Sequence, residues 1–231
     1  MYKRILLKIS GESLIGKQNI DLNSDIIELL SEQIKKLLEL SVEISIVIGG
    51  GNIWRGVFTN KIDKVTSDYM GMLATMINSM ALQKALEMHG IVTRVQSAIE
   101  MQKLAEPFII RRAIRHLEKH RVVIFACGTG NPYFTTDTAA VLRASEIEAD
   151  VILKATKVDY VYNEDPFKNK NAIKYENLTY KDALDKNLKV MDMTAFSLCM
   201  EKKIPIIIFN MSKKDNIYNA VLGHKVGTLI K

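Results

Sequence analysis

Short β-branched apolar runs alternate with longer stretches whose apolar positions recur every three or four residues, from one end of the chain to the other. Tyr2 to Ile9 reads as a buried strand. After a loop, Ile26, Leu30, Ile34, Leu37 and Leu38 recur at helical spacing within Asp25 to Leu40, behind the cap candidate Ser24. Val42 to Ile48 is a second strand, stopped at Gly49. Met70 to His89 predicts a long, Met-rich helix, capped near Thr66 or Ser67 and closed by Gly90. Ile91 to Val95 is a strand, Phe108 to Lys119 a helix, and Val122 to Ala126 a strand ending at Cys127-Gly128. Thr138 to Ile147 is helical, Val151 to Lys154 is a strand, and Val158 to Tyr162 extends it or pairs with it. Lys181 to Asp185 and Ala195 to Lys203 are helical, Ile206 to Phe209 is a strand, and Asn216 to Leu222 is a short helix.

This alternation predicts an α/β fold, a three-layer αβα sandwich with a mostly parallel central sheet. No linker or repeat interrupts it, so residues 1–231 read as a single domain. The polar stretch Asn163 to Asn177, with Pro166 inside it, predicts a surface loop or lid.

Composition narrows the class. At 231 residues, 48% hydrophobic and 25% charged, the chain can bury a full core and is not a disordered one. Two cysteines, Cys127 and Cys199, make no disulfide framework and suit a reducing compartment. There is no apolar run of membrane-spanning length. The basic N-terminus leads into Ser10-Gly11-Glu12 without a cleavage pattern, so a soluble, cytoplasmic protein with no membrane partner is expected. The net charge of +6 suits anionic partners of any size.

Candidate chemistry gathers where strands end, since ligands of open parallel sheets sit beyond the carboxyl ends of the strands. Three strands finish in polar, glycine-containing turns: Lys8-Ile9-Ser10-Gly11, Gly49-Gly50-Gly51-Asn52 and Gly128-Thr129-Gly130-Asn131. Glycine lets backbone N–H groups close around an anion. Gly11 to Lys17 imitates a P-loop, but Gln18 stands where a magnesium-binding Ser or Thr belongs, so Lys8 rather than Lys17 takes the phosphate role. Lys8 and Lys154 close apolar strands, and Arg55 follows the triple glycine; phosphoryl transfer depends on such positioned cations. No His/Cys cluster has metal-ligand spacing, and His89, His116, His120 and His224 are scattered and structural. Met70, Met72, Met76 and Met80 read as adaptable core packing.

Five segments then fall into a known pattern: Lys8 to Glu12, Gly49 to Gly56, Asp68 to Thr75, Gly128 to Asp137 and Leu153 to Asp159. In order, over essentially the whole chain, they resemble the bacterial uridylate kinases, a branch of the amino acid kinase family. The glycine and lysine signals alone indicate only the wider family; the Asp68 and Gly128 to Asp137 segments mark the branch. The resemblance implies transfer of the γ-phosphoryl group of ATP to UMP. It implies that Lys8, Ile9, Ser10 and Gly11 grip the transferring phosphates, with Gly51 and Arg55 on the ATP side and Gly50 close to UMP. Asp68 is implied to accept hydrogen bonds from the nucleoside, although Asp at a helix start also simply complements the dipole. Thr129, Gly130, Asn131, Pro132, Tyr133, Phe134, Thr135 and Thr136 are implied to wrap UMP. Asp137 would orient the nearby lysines, Lys8 and Lys154, or organise metal-bound phosphates, its plain alternative being a helix cap. Thr156, Tyr162 and Asp165 match the adenosine side. Mg²⁺ is implied to arrive with ATP, UTP to inhibit, and the chain to form a homohexamer. The loop between Gly11 and Asp21 departs from the glycine-rich form of family members activated by GTP.

Three other readings stand beside this one, the first being a storage or oligomeric scaffold role built on the same fold. The same fold could serve a different small acceptor. Arg111, Arg115 and Lys119 recur on one helix face and could form a nucleic-acid footprint, with a solvated face opposite Ile110, Ala113 and Leu117 as the plainer account.

Overall fold

Successive side chains of a strand point to opposite faces of a sheet, so a strand apolar at every position must be covered on both sides. In the computed structural model, which describes residues 1–14, 23–55, 62–169, 171–188 and 190–231, the apolar runs take up that role. The element order is β1 (Arg4–Ile9), a short 3₁₀ turn (Gly11–Ser13), α1 (Ser24–Glu39), β2 (Glu43–Ile48), α2 (Lys64–Met88), β3 (Thr93–Ser97), β4 (Glu106–Pro107) and α3 (Ile110–Glu118). There follow β5 (Val122–Ala126), α4 (Thr136–Glu146), β6 (Val151–Thr156), β7 (Val161–Tyr162), β8 (Lys174–Tyr175), β9 (Asn177–Leu178) and α5 (Tyr180–Asp185). The chain ends with α6 (Met193–Lys202), β10 (Ile206–Asn210), α7 (Asn216–Leu222) and β11 (Gly227–Ile230).

Nine strands form one sheet in the order β4-β3-β5-β2-β1-β6-β10-β11-β9. All neighbours are parallel except β10 and β11, which run antiparallel. Ile5, Leu7 and Ile9 of β1 face a core shared with α1, α2 and α7, while Leu6 faces a second core shared with α3, α4, α5 and α6. The three-layer sandwich expected from the alternation is therefore present. Both cysteines are buried, and burial, then the charge of Asp137, pushes the Cys199 thiol up to about 12.

Several details differ from the sequence reading. The α1 cap is Asn23, whose side chain accepts from the N–H groups of Asp25 and Ile26; Ser24 is already helical. Helix α2 starts at Lys64, ahead of Thr66, because the Asp63 carboxylate accepts from the Thr66 N–H and caps the helix there. Val158 to Tyr162 neither extends nor pairs with β6: β7 leaves the sheet and pairs antiparallel, as a separate ribbon, with β8, which lies inside the stretch read as loop. The short strands β4 and β9, and β11, carry too little pattern to be read from sequence. On α2, Met72 and Met76 are buried as core, but Met80 is 40% exposed. The footprint helix α3 buries Ala113 and Leu117, while Ile110 is 40% exposed. No helix among the described residues is long and apolar enough to cross a membrane.

Candidate active site

Because β5, β2 and β1 are consecutive in the sheet, their three glycine turns lie side by side at one edge. Two of their glycines leave no room for a side chain. A Cβ on Gly11 would meet Asn52 Oδ1 at 2.2 Å and the Gly49 carbonyl at 2.4 Å; one on Gly50 would meet Ala74 Cβ and the Gly71 carbonyl at 2.8 Å. Gly50 thus lets α2 press against the end of β2. The β5 turn is built on left-handed backbone at Cys127, Gly128, Gly130 and Tyr133 (φ 62°, 58°, 81° and 72°). Its base is fixed by the Thr75 hydroxyl of α2, which accepts from the Cys127 N–H at 2.8 Å.

Strand register brings the cations together. Lys8 and Lys154 are direct partners on β1 and β6, so two ammonium groups emerge side by side on the α4 face of the sheet. Like charges placed opposite one another repel. Asp137, in the first turn of α4, lies between them: its carboxylate oxygens are 2.6 Å from Lys8 Nζ and 2.7 Å from Lys154 Nζ. Lys154 also donates to the Val190 carbonyl at 2.5 Å. The three side chains are only 12% (Lys8), 15% (Asp137) and 14% (Lys154) exposed. Burial alone would push the Asp137 carboxyl up, but the ammonium groups of Lys8 and Lys154 outweigh it and hold it below the usual carboxylate range. For Lys154 the balance goes the other way. Burial, together with the neighbouring Lys8 charge, outweighs the pull of Asp137 and lowers its affinity for a proton. One carboxylate for two lysines leaves the cluster with a surplus positive charge, which an incoming anion would neutralise. Asp137 is not the cap of α4; Thr135 is, accepting from the N–H groups of Asp137 and Thr138, and this frees the Asp137 carboxylate for the lysines.

Two clefts flank the cluster. The first, of about 480 Å³, is lined by Gly50, Gly51, Asp68, Thr129, Phe134, Thr135 and Thr136 among others. The second, of about 500 Å³, is lined by Lys154, Thr156, Tyr162 and Asp165 among others. Asp137 adjoins Thr136 of the first cleft and pairs with Lys154 of the second. The expected residues gather in these clefts only in part. Gly51 lies in the first cleft beside Gly50, not on the side of Thr156. Arg55 forms an ion pair with Glu12 and donates to the Gly51 carbonyl at 3.2 Å, apart from the Asp137 cluster. Gly130, Asn131, Pro132 and Tyr133 shape the turn rather than line the cleft. Lys8 and Ile9 close β1, and Ser10 and Gly11 open the turn after it; none of the four lines either cleft. Gly56, Lys17, Gln18 and the loop toward Asp21 lie outside the described residues.

Asp68 already has protein partners: Lys64 Nζ reaches Oδ1 at 2.6 Å, and the Tyr133 N–H donates to Oδ2 at 2.7 Å. It thus ties α2 to the β5 turn across the first cleft. Sequence reasoning missed Lys64, Ser67 and Trp54 in this wall; Trp54 Nε1 donates to the Ser67 hydroxyl at 3.1 Å. The only signal for Trp54 was its place after the triple glycine. Asp192 was missed as well. It caps α6 and accepts from the hydroxyls of Thr135 and Thr138, joining α6 to the start of α4. Among the described residues no group of three or more His, Cys, Asp or Glu could hold a metal ion.

Comparison with known proteins agrees with this geometry. The family model described as "Amino acid kinase family" matches residues 3–210. A UMP kinase from Bacillus anthracis is 40% identical, with a TM-score of 0.95, over 100% of this chain and 96% of that one. A UMP kinase from Ureaplasma parvum is 41% identical, with a TM-score of 0.93, over 100% and 99%. A uridylate kinase from Archaeoglobus fulgidus is 28% identical, with a TM-score of 0.75, over 98% and 99%. The matched span carries both clefts and the Lys8–Asp137–Lys154 cluster between them: the chain belongs to the amino acid kinase family.

Proposed function

We propose that this chain is a UMP kinase, catalysing ATP + UMP → ADP + UDP. The observation that carries the reading is a pair of lysines bridged by one carboxylate, with Lys154 in the wall of one cleft and Asp137 next to Thr136 in the wall of the other. Full-length similarity to UMP kinases supports the choice of acceptor.

In this reading UMP occupies the first cleft and ATP the second, so the N-terminal part serves mainly the acceptor and the C-terminal part the donor. Thr156, Tyr162 and Asp165 hold the adenosine side. A UMP phosphate oxygen attacks the γ-phosphorus in line, the bond to the β-phosphate oxygen breaks, and ADP leaves with the electron pair. A phosphate oxygen is already a nucleophile near neutrality, so no general base is required. The protein's contribution is position and charge: Lys8 and Lys154 neutralise charge on the transferring group, and glycine-turn N–H groups hold the phosphates. Asp137 bridges the two ammonium groups and aims them. Both of its oxygens face lysines, so it is a poor magnesium ligand; Mg²⁺ enters as part of the ATP substrate, on the phosphates. Arg55, beside Gly51, serves the phosphates on the first-cleft side. UTP, a pyrimidine nucleotide, would compete for the UMP cleft.

A homo-oligomer, in the family resemblance a hexamer, belongs to the same proposal. Helix α2 presents Tyr69, Leu73, Ile77 and Met80 outward, each 40–54% exposed, at successive helical turns. Such a stripe suits burial against a second copy. Coupled ADP release over an acceptor panel tests the function. UMP is expected to support rapid turnover and aspartate, carbamate and acetylglutamate little; no turnover with UMP would overturn the reading.

A further inference from the structure

Beneath the β2 turn two amides face each other, Asn78 buried and Asn52 partly so. Asn78 of α2 donates from Nδ2 to Asn52 Oδ1 at 2.7 Å and accepts at Oδ1 from Asn52 Nδ2 at 3.1 Å. Its second N–H goes to the Gly49 carbonyl, also at 2.7 Å. A carbonyl only accepts, so the atom facing it must be the nitrogen, and the orientation of both amides follows. The pair also supports the β1 turn: a Cβ on Gly11 would lie 2.9 Å from Asn78 Nδ2.

We propose that Asn78 is a positioning residue that fixes the Gly49–Gly50 peptide plane, so that the Gly50 N–H is presented to the acceptor phosphate. The planar trans peptide sets its C=O and N–H in opposite directions, and the chain has no cis peptide. With the Gly49 carbonyl held against α2, the Gly50 N–H points toward the first cleft, whose wall Gly50 forms. Between two glycines the plane turns over readily, since neither residue has a Cβ to restrict it. One hydrogen bond from Asn78 decides its direction. The inference rests on the UMP kinase reading for the identity of the anion.

Two near-isosteric variants test it. Asn78→Asp replaces the donor to Gly49 with an ionised oxygen, which repels that carbonyl; once protonated, its O–H can donate again. Asn52→Asp leaves both Asn78 N–H groups with acceptors, so the Gly49 bond survives. Asn78→Asp is expected to lower kcat/KM for UMP by at least about ten-fold at pH 8, as for loss of one preorganised donor, with the deficit shrinking toward pH 6. The KM for UMP should rise more than that for ATP. Asn52→Asp should remain within about three-fold of the parent at both pH values, because only the weaker bond is lost. The charged groups on neighbouring elements are paired, Glu12 with Arg55 and Lys8 with Lys154 through Asp137. The parent shares them, so a pH effect confined to Asn78→Asp reports on position 78. The Gly50 amide ¹⁵N resonance, recorded without nucleotide, gives a readout independent of turnover. It should show exchange broadening in Asn78→Asp at pH 8 and match the parent in Asn52→Asp. Equal losses in the two variants, or a Gly50 resonance unchanged by Asn78→Asp, would overturn the inference. A parent inactive toward UMP would overturn the functional reading, and the Gly50 resonance would still decide the role of Asn78.

Discussion

Lys8, Asp137 and Lys154 carry the electrostatics of the site, and the pKa directions of Asp137 and Lys154 lead to measurable outcomes. The Asp137 carboxyl is held low in the folded chain by two ammonium groups. A depressed carboxyl contributes stability that is present above its unfolded pKa, about 4, and is lost as pH falls through the folded value. Asp137→Asn removes that contribution and leaves two buried cations facing each other. A loss of about 3 kcal/mol is expected, or a Tm lower by roughly 6–12 °C near neutral pH, together with loss of most turnover. Calorimetry from pH 7 down to pH 2 checks this: the gap between parent and variant should hold to about pH 4 and narrow below it, and a gap constant throughout would remove the ion pairs from the explanation. For Lys154 burial lowers the ammonium pKa, so the protonated form is lost at lower pH than for an ordinary lysine. The alkaline limb of kcat/KM, which reports the nucleotide-free protein, should fall below the usual lysine range. Bound phosphates restore the missing negative charge, so the limb of kcat should lie at higher pH. Coincident limbs would mean that Lys154 does not face the phosphates.

At the scale of elements, the packing of α2 against the β2 turn explains why position 50 must be glycine. Gly50→Ala would push its Cβ into Ala74 and the Gly71 carbonyl, an overpacking expected to cost about 1–3 kcal/mol. It should also widen the first cleft, so the KM for UMP rises while that for ATP changes little. Wild-type stability and kinetics in this variant would mean that the close approach of α2 is unimportant. Much of this layer was legible in the sequence. The runs from Arg4 to Ile9 and from Val122 to Ala126, and the helix Asn216–Leu222, announce themselves because both faces are buried or because one periodic stripe is. What stayed hidden depends on long-range pairing. Nothing in a linear sequence places Lys8 opposite Lys154, since that register is set by sheet order. Nor does it show Asp192 reaching Thr135 and Thr138, or Asn78 reaching Gly49, because each bond joins elements far apart in the chain. The start of α2 was missed for a local reason: Asp63 lies outside the apolar stripe, and the cap rather than the stripe sets the boundary.

For the whole molecule, the outward stripe on α2 and the two clefts make separate claims. If copies associate through the stripe, light scattering should give a mass well above the 26.1 kDa of one chain. Leu73→Glu combined with Ile77→Glu should then lower it, since charges within an apolar interface are strongly unfavourable. An unchanged mass in the double variant would put the interface elsewhere. The central claim is direct phosphoryl transfer from a donor in the second cleft to UMP in the first. Its most direct measurement follows the label from [γ-³²P]ATP in the presence of UMP and Mg²⁺. Direct transfer requires label in the β-phosphate of UDP, in amounts equal to the ADP formed, with none attached to the protein. Label appearing on the protein, in inorganic phosphate alone, or on another acceptor in preference to UMP would contradict it.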